Sequence, residues 1–193
     1  IPSSTFLLDV NGIGTDAGGR GFSDGDPDVA VRPIVSSLVP VPWAGPSAAQ
    51  VMGILYELDG EPCLVDPRHV LRRVVSQLAG DGFYPVIALE LEFYLLDGIL
   101  ADAGEAHPPS LPDTGRLAER TQVYSLADLD GVSSFLAEME SICTAQKVPL
   151  GGASSEYAAG QFEINLEHVD DPIAAADHSI LLQRAVKGLA RKH

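Results

Sequence analysis

Four glutamates have the residue type and spacing that metal-assisted chemistry requires. Two of them, Glu90 and Glu92, lie in the apolar segment ALELEFY (residues 88–94), inside a strand predicted from residue 86 to 96. Side chains alternate across a strand, so both carboxylates are expected on one face, with Leu91 on the other. At an effective dielectric of about 20, like charges a few ångströms apart repel by roughly 3–4 kcal/mol. A counter-ion at this face would remove that cost.

The other two glutamates lie in, and shortly before, a second strand-like segment. In the run QFEINLE (residues 161–167) apolar and polar side chains alternate, and Glu163 shares the polar face with Gln161 and Asn165. Glu156 precedes Glu163 by seven residues. Single acids of this kind usually line a solvated surface, but two acid-bearing strands favour a shared cation. Oxygen ligands suit Mg²⁺ or Mn²⁺, ions that commonly work with phosphates.

A zinc site is the less favoured alternative, because zinc sites combine histidine and cysteine ligands at short spacings. Cys63 and Cys143 have apolar neighbours, which indicates buried thiols in a reducing compartment and not a disulfide framework. The five histidines are scattered without paired ligand spacing: His69, His107, His168, His178 and His193.

Helices are predicted beside both acid-bearing strands. Asp66 is a helix N-cap followed by proline in the first turn, and apolar residues recur at helical spacing up to a stop at Gly80. A second helix is predicted from residue 132 to 143, and a third after Asp171. Residues 97–122, which contain several prolines and glycines, predict a long loop of the kind that often forms a functional lid.

The first 65 residues predict a small β-rich domain. The glycine-rich stretch from Gly12 to Gly25 lacks the lysine of a phosphate loop and the following helix of a dinucleotide fold, so it is interpreted as a surface loop. Proline and Asp-Gly signals separate the predicted strand at residues 5–10 from later apolar runs at 29–35, 38–43 and 50–58.

Composition and charge exclude several classes of function. The 193 residues are 46% hydrophobic, enough for a packed core, and carry 27 acidic against 12 basic residues, a formal net charge of −15. Nucleic acid is not an expected partner, because phosphate binding needs a basic face. No apolar run approaches the ~18 residues of a membrane span. A start at Ile1 without a signal-peptide pattern indicates that the sequence begins inside a longer protein or after processing, with the cytoplasm as the expected location.

Several sequence blocks together resemble the glutamine synthetase family. Their order and spacing agree with that family over nearly the whole chain, and the block at residues 156–163 is most similar to the γ-glutamylpolyamine synthetase branch. The blocks are Asp66-Pro67-Arg68, ELEFY at residues 90–94, EYAAGQFE at residues 156–163 and the closing run from residue 176 to 193.

The resemblance implies an α+β fold in two parts. Residues 1–65 would form a β-grasp-like N-terminal domain, and residues 66–193 the first part of the catalytic domain, whose remainder would follow His193. The implied activity is ATP-dependent ligation of the γ-carboxylate of glutamate to ammonia or an amine through a γ-glutamyl phosphate. Mg²⁺ or Mn²⁺ would be the cofactor, and the implied assembly is a homo-oligomer, a dodecameric ring. The 193-residue chain alone is expected to be inactive, because phosphate-binding cations would lie in the remainder.

The resemblance also implies roles for the acids. Glu90 would bind the metal beside the nucleotide phosphates. A second metal, nearer the glutamate substrate, would be bound by Glu92, Glu156 and Glu163.

Three further residues receive roles from the resemblance alone. Tyr124 would lie near the ammonium or amine site. Glu156 and Tyr124 are the two expected catalytic residues. Asp9 and Asp28, in the small domain, would bind substrate at the active site of a neighbouring subunit. Two alternatives stay open: a non-catalytic, metal-binding or structural relative of the same fold, and a metal-dependent hydrolase that uses the same carboxylates. The choice between ammonia and an organic amine is also open.

Overall fold

The chain groups into two compact units. A computed structural model describes residues 1–9, 11–16, 20, 25–97, 107–118 and 122–192. The first unit comprises Ile1–Val39 and Ala49–Tyr84, and the second comprises Pro40–Ala48 and Pro85–His193. The domain boundary between residues 65 and 66 stays a prediction. In the described ranges, every helix falls short of the length and apolar character that a membrane crossing demands.

The first unit is rich in short strands, as the proline-bounded apolar runs predict. Its small core consists of Val29, Leu55 and Cys63, with Val65 packed against them. β1 pairs antiparallel with β4, and Val31 lies opposite Leu55. The strands of this unit are β1 (Ala30–Pro33), β3 (Ala49–Gln50) and β4 (Gly53–Tyr56), and β2 (Val39–Pro40) lies at the boundary where the chain passes to the second unit.

The strand predicted at residues 5–10 is wrong. Residues Ser3–Phe6 form a 3₁₀ turn instead. The carboxylate of Asp26 accepts hydrogen bonds from the backbone N–H of Ser4 at 2.9 Å and from its hydroxyl at 2.8 Å. Side-chain acceptors of this kind offer the backbone an alternative to a strand ladder. Val10 lies outside the described residues, as do the loop predictions that fall on 17–19, 21–24, 98–106 and 119–121.

Helix α1 (Pro67–Gly80) begins where the sequence predicts. One carboxylate oxygen of Asp66 accepts the N–H of Arg68 at 2.8 Å, and the other accepts the N–H of Leu55 at 2.7 Å. The ring Nε2 of His69 lies 2.8 Å from the carbonyl oxygen of Leu55. The buried Asp66 therefore caps α1 and also ties it to β4.

The second unit is built on a three-stranded antiparallel sheet. The strands β5 (Glu90–Tyr94), β6 (Leu150–Ser155) and β7 (Gln161–Leu166) follow the order β5-β7-β6. β5 and β7 agree with the sequence predictions. β6 was not predicted, because its sequence LGGASS lacks apolar alternation and contains glycines, which are depleted in strands.

Helices cover the apolar face of this sheet. Phe162, Ile164 and Leu166 on β7 are buried, as the alternation predicts. The ring of Phe93 on β5 lies 6.2 Å from that of Phe135 and 6.4 Å from that of Phe162. The opposite face carries the acids and is partly exposed. The helices are α2 (Leu126–Asp130), α3 (Ser133–Gln146) and α4 (Pro172–Ala190), and α3 packs against α4.

Both cysteines are buried free thiols, in agreement with the sequence interpretation. Cys63, in the first unit, belongs to the small core. Cys143 lies on α3, and burial raises the pKa of its thiol to about 11. The thiolate is the reactive form of cysteine, so Cys143 is a packing residue.

Candidate metal centre and amine site

Three of the four predicted glutamates come together on the polar face of the sheet. Glu92 on β5 lies directly opposite Glu163 on β7. Glu156 follows the last residue of β6, and its N–H donates to the carbonyl of Gln161 at 2.8 Å. One carboxylate oxygen from each of Glu92, Glu156 and Glu163 lies within 4.8 Å of the others. The sheet register therefore brings together acids that are up to 71 residues apart in sequence.

Neutral hydrogen-bond donors orient two of these carboxylates. The side-chain amide of Gln161 donates to Oε2 of Glu92 at 2.7 Å. The hydroxyl of Ser154 donates to Oε1 of Glu156 at 2.8 Å. Neither donor carries a positive charge, so the hydrogen bonds orient the acids without neutralising them.

The pKa of Glu163 reports the repulsion among the acids of the cluster. Burial raises the pKa of Glu163, and the charges of Glu156, Glu90 and Glu92 raise it further, against a hydrogen bond from Asn165 that lowers it. Mutual repulsion of this kind is relieved by a cation. Three carboxylate oxygens within 4.8 Å of one another fit a hard divalent ion such as Mg²⁺ or Mn²⁺. Binding of that ion stays a prediction.

Glu90 is not one of the three acids that share this cluster. It lies on the same strand face as Glu92, directly opposite Asn165, and is exposed. It is close enough to the cluster to raise the pKa of Glu163. Its role at a separate, nucleotide-side metal stays a prediction.

A glycine fixes the turn that connects Glu156 to β7. Gly160 is buried and has a φ of +72°, a backbone conformation that favours glycine. A Cβ at this position would lie 2.7 Å from Cδ of Pro109 and 2.8 Å from the carbonyl oxygen of Leu95. The N–H of Leu95 donates to the carbonyl of Gly160 at 2.9 Å. The close packing of this turn fixes the path of the chain between Glu156 and Glu163.

Tyr124 is held in an unusual backbone conformation beside the end of β6. Its φ is +58°, in the left-handed region that non-glycine residues seldom adopt. Its N–H donates to the carbonyl of Ser155 at 2.8 Å, and the N–H of Ser125 donates to the Ser155 hydroxyl at 2.6 Å. The side chain is 72% exposed. Since Ser155 immediately precedes Glu156, these bonds tie Tyr124 to the acid-bearing segment.

Asp9 and Asp28 belong to the first unit. The carboxylate of Asp9 accepts the N–H of Ile13 at 2.9 Å and that of Asn11 at 2.8 Å. The hydrogen bond from Ile13 is the main reason that the pKa of Asp9 is lowered. Asp28 lies 3.7 Å from the terminal ammonium of Ile1 and is exposed. Their roles at a neighbouring subunit's site stay predictions.

Sequence reasoning missed the residues that orient the acids. Strand alternation placed Gln161 on the face of Glu163 but gave no partner for its amide. Ser154 and Ser155 carried no signal, because β6 was not predicted. Their roles follow from the pairing of β6 with β7, where Ser154 lies opposite Glu163.

Comparison with known proteins identifies the family of the chain. Residues 64–193 match the family described as glutamine synthetase, catalytic domain. The chain is 37% identical over 193 residues to γ-glutamylputrescine synthetase of Escherichia coli strain K12, covering 100% of this chain and 41% of that protein. It is 31% identical over 173 residues to glutamate–isopropylamine ligase of a Pseudomonas species, covering 90% of this chain and 37% of that protein.

A solved structure shows the same fold. The complex of GmaS with ADP superposes with a TM-score of 0.73 at 26% identity, over 100% of this chain and 40% of that chain. The chain thus spans about two fifths of the length of the curated relatives it matches. With the family match covering more than half of its residues, the chain belongs to the glutamine synthetase family.

Proposed function

We propose that the protein containing this chain is an ATP-dependent ligase that joins the γ-carboxylate of glutamate to an amine through a γ-glutamyl phosphate. The observation that carries the proposal is the cluster of Glu92, Glu156 and Glu163, whose carboxylate oxygens lie within 4.8 Å of one another. The relatives named for γ-glutamylputrescine and for glutamate and isopropylamine support an organic amine over ammonia as the acceptor.

In this proposal the three acids hold one Mg²⁺ or Mn²⁺ near the glutamate substrate, and Glu90 contributes to a second ion near ATP. A bound ion would neutralise charge on the reacting phosphate and carboxylate oxygens. The contribution of the chain is to fix the positions of these groups: the sheet register sets Glu92 against Glu163, and the Gly160 turn sets Glu156 beside them. Such positioning accounts for most of phosphoryl-transfer catalysis.

Glu156 and Tyr124 are the proposed catalytic residues for the amine step. An alkylamine arrives as a cation, so an acidic face attracts it and stabilises its position. Its nitrogen must lose a proton before it attacks the γ-carbonyl carbon, and phosphate leaves as the carbon–oxygen bond breaks. A carboxylate at the amine end can take that proton. The exposed Tyr124 ring, tied to the segment that carries Glu156, would border the incoming amine.

The assembly and domain roles are also proposals. The β1–β4 pair supports a β-grasp-like N-terminal domain over residues 1–65, followed by the first part of the catalytic domain over residues 66–193. Family membership supports a cytoplasmic homo-oligomer, a dodecameric ring in which Asp9 and Asp28 bind substrate at a neighbouring subunit's site. The inactivity of the 193-residue chain by itself stays a prediction.

An activity assay of the intact protein that contains this chain tests the proposal. ATP, glutamate and a panel of amines that includes putrescine, isopropylamine and ammonia are supplied, and phosphate release and γ-glutamyl amide formation are measured. We expect amide product only when all three substrates are present, with an organic amine preferred. Phosphate release without glutamate and amine would indicate a hydrolase instead. Absence of product with every amine would indicate a non-catalytic relative.

A further inference from the structure

The side chain of Gln161 connects the two segments that carry Glu92 and Glu156. Its amide nitrogen donates to Oε2 of Glu92 at 2.7 Å. Its amide oxygen accepts the backbone N–H of Ala158 at 3.0 Å. A backbone N–H can only donate, and an ionised carboxylate can only accept. The two partners therefore fix the orientation of the amide, with its nitrogen toward Glu92.

The backbone of Gln161 holds the other acid. Its carbonyl accepts the N–H of Glu156 at 2.8 Å, and its N–H donates to the carbonyl of Ala158 at 3.0 Å. One residue thus contacts Glu92 through its side chain and Glu156 through its main chain. Gln161 therefore constrains the distance between Glu92 and Glu156.

We propose that Gln161 is a positioning residue for the divalent cation of this site. This inference rests on the proposed function for the identity of the cation. It adds to that function the residue that sets the geometry of the site. With Oε2 of Glu92 engaged, the hydrogen bond orients the carboxylate toward the space that it shares with Glu156 and Glu163. A lysine or arginine here would compete with the cation for the acids, and another carboxylate would add repulsion. A neutral amide does neither.

Mn²⁺ binding to the intact protein that contains this chain tests this role without any ligase turnover. The free Mn²⁺ signal in electron paramagnetic resonance is followed during titration, in the absence of ATP, glutamate and amine. Gln161→Met keeps the length of the side chain but removes both hydrogen bonds of the amide. We expect its Kd for Mn²⁺ to rise by about 10–100-fold, the usual effect of losing a group that orients a metal ligand. Gln77→Ala, at an exposed position on α1 in the first unit, is the matched control and should bind as the wild type does.

A double-mutant cycle shows whether Gln161 acts through Glu92. In a Glu92→Gln background, Gln161→Met should cause little further loss of Mn²⁺ affinity. Gln161→Asn, whose amide is one methylene too short to reach both partners, gives a second variant if Gln161→Met does not fold. Equal Kd values for the wild type and a folded Gln161 variant would overturn the inference, and so would a wild-type protein that binds no Mn²⁺. Because the assay contains no substrates, either result leaves the ligase assay to judge the proposed function separately.

Discussion

Glu92 and Glu163 lie directly opposite each other on the antiparallel strands β5 and β7, and Glu156 lies close enough for all three carboxylates to contact one metal ion. Like charges at opposite positions of a strand pair are destabilising, by about 0.2–1 kcal/mol for a single pair. The fold retains this arrangement on a sheet whose other face is a conventional apolar core. The metal-free sheet is therefore held together against repulsion that a divalent cation would remove.

Glu163→Gln is expected to stabilise the metal-free chain by about 0.2–1 kcal/mol, because it removes one charge from the cluster. The same change should abolish most of the stabilisation that Mn²⁺ gives to the wild type. Thermal unfolding of both proteins with and without Mn²⁺ measures the two effects. A variant that is stabilised by Mn²⁺ as strongly as the wild type would exclude Glu163 from the site.

The metal-free chain should also lose stability as pH rises through the titration of Glu163. The folded-state pKa of this acid lies above its ordinary value of 4.5. At pH below 4.5 the acid is protonated in both states. Above the raised pKa the folded state alone bears the cost of burying the charged carboxylate and of its repulsion by the neighbouring acids. The free energy of unfolding of the wild type, relative to Glu163→Gln, should therefore fall between these two pH values. Denaturant titrations across this pH range measure it, and a difference that does not change with pH would contradict a raised pKa of Glu163.

Gly160→Ala should destabilise the chain by roughly 2–4 kcal/mol. It combines the cost of a side chain at a left-handed φ with the overpacking of a methyl group against Pro109 and Leu95. Gly152→Ala is the matched control, because a Cβ at that strand position meets no atom within 4 Å. Chemical denaturation compares the two variants. Similar free energies of unfolding would mean that the Gly160 turn tolerates a side chain.

Tyr124→Gly should weaken amine binding without lowering the stability of the fold. Glycine relieves about 1–2 kcal/mol of left-handed strain but loses roughly 0.5–1 kcal/mol more chain entropy, so stability should stay constant or rise by up to about 1.5 kcal/mol. Loss of the exposed ring should raise the KM for the amine in the intact protein and leave the KM for ATP unchanged. Tyr124→Phe, which keeps the ring, is the control. An unchanged amine KM in Tyr124→Gly would remove Tyr124 from the amine site.

Asp66→Ala should cost roughly 2–4 kcal/mol of stability, since it removes a helix cap and also leaves the buried N–H of Leu55 without its acceptor. Asp171→Ala removes an exposed cap of α4, and should cost only about 1 kcal/mol. Urea unfolding distinguishes the two. Equal losses would show that the bond between Asp66 and Leu55 contributes little.

Local sequence rules predict the elements whose signals are local. Asp66 caps α1 as expected, and the alternation around Phe162 gives the buried face of β7. The sequence pattern gave the wrong secondary structure where contacts between distant residues determine it. Asp26 bends the segment at Ser4 into a turn, and β6 forms because β7 pairs with it.

The same division applies to the candidate site. Strand alternation predicts that Glu92 and Glu163 each face away from the apolar core. Strand register brings the two together, and it depends on contacts across the sheet that no single segment encodes. The position of Glu156 depends on the tightly packed Gly160 turn, and the positioning role of Gln161 depends on both. The family resemblance predicted that Glu92, Glu156 and Glu163 share one site, and the structure groups the same three acids. The contacts that hold them together could not be predicted from any single segment.

Anomalous diffraction from crystals of the intact protein soaked in Mn²⁺ tests the central claim most directly. The account predicts an anomalous peak between Glu92, Glu156 and Glu163, with an oxygen of each carboxylate at roughly 2.0–2.3 Å from the ion. The Glu92→Ala protein, treated in the same way, should lose that peak or show it strongly weakened. Full occupancy of Mn²⁺ at other residues, with these three carboxylates left free of the ion, would contradict the account.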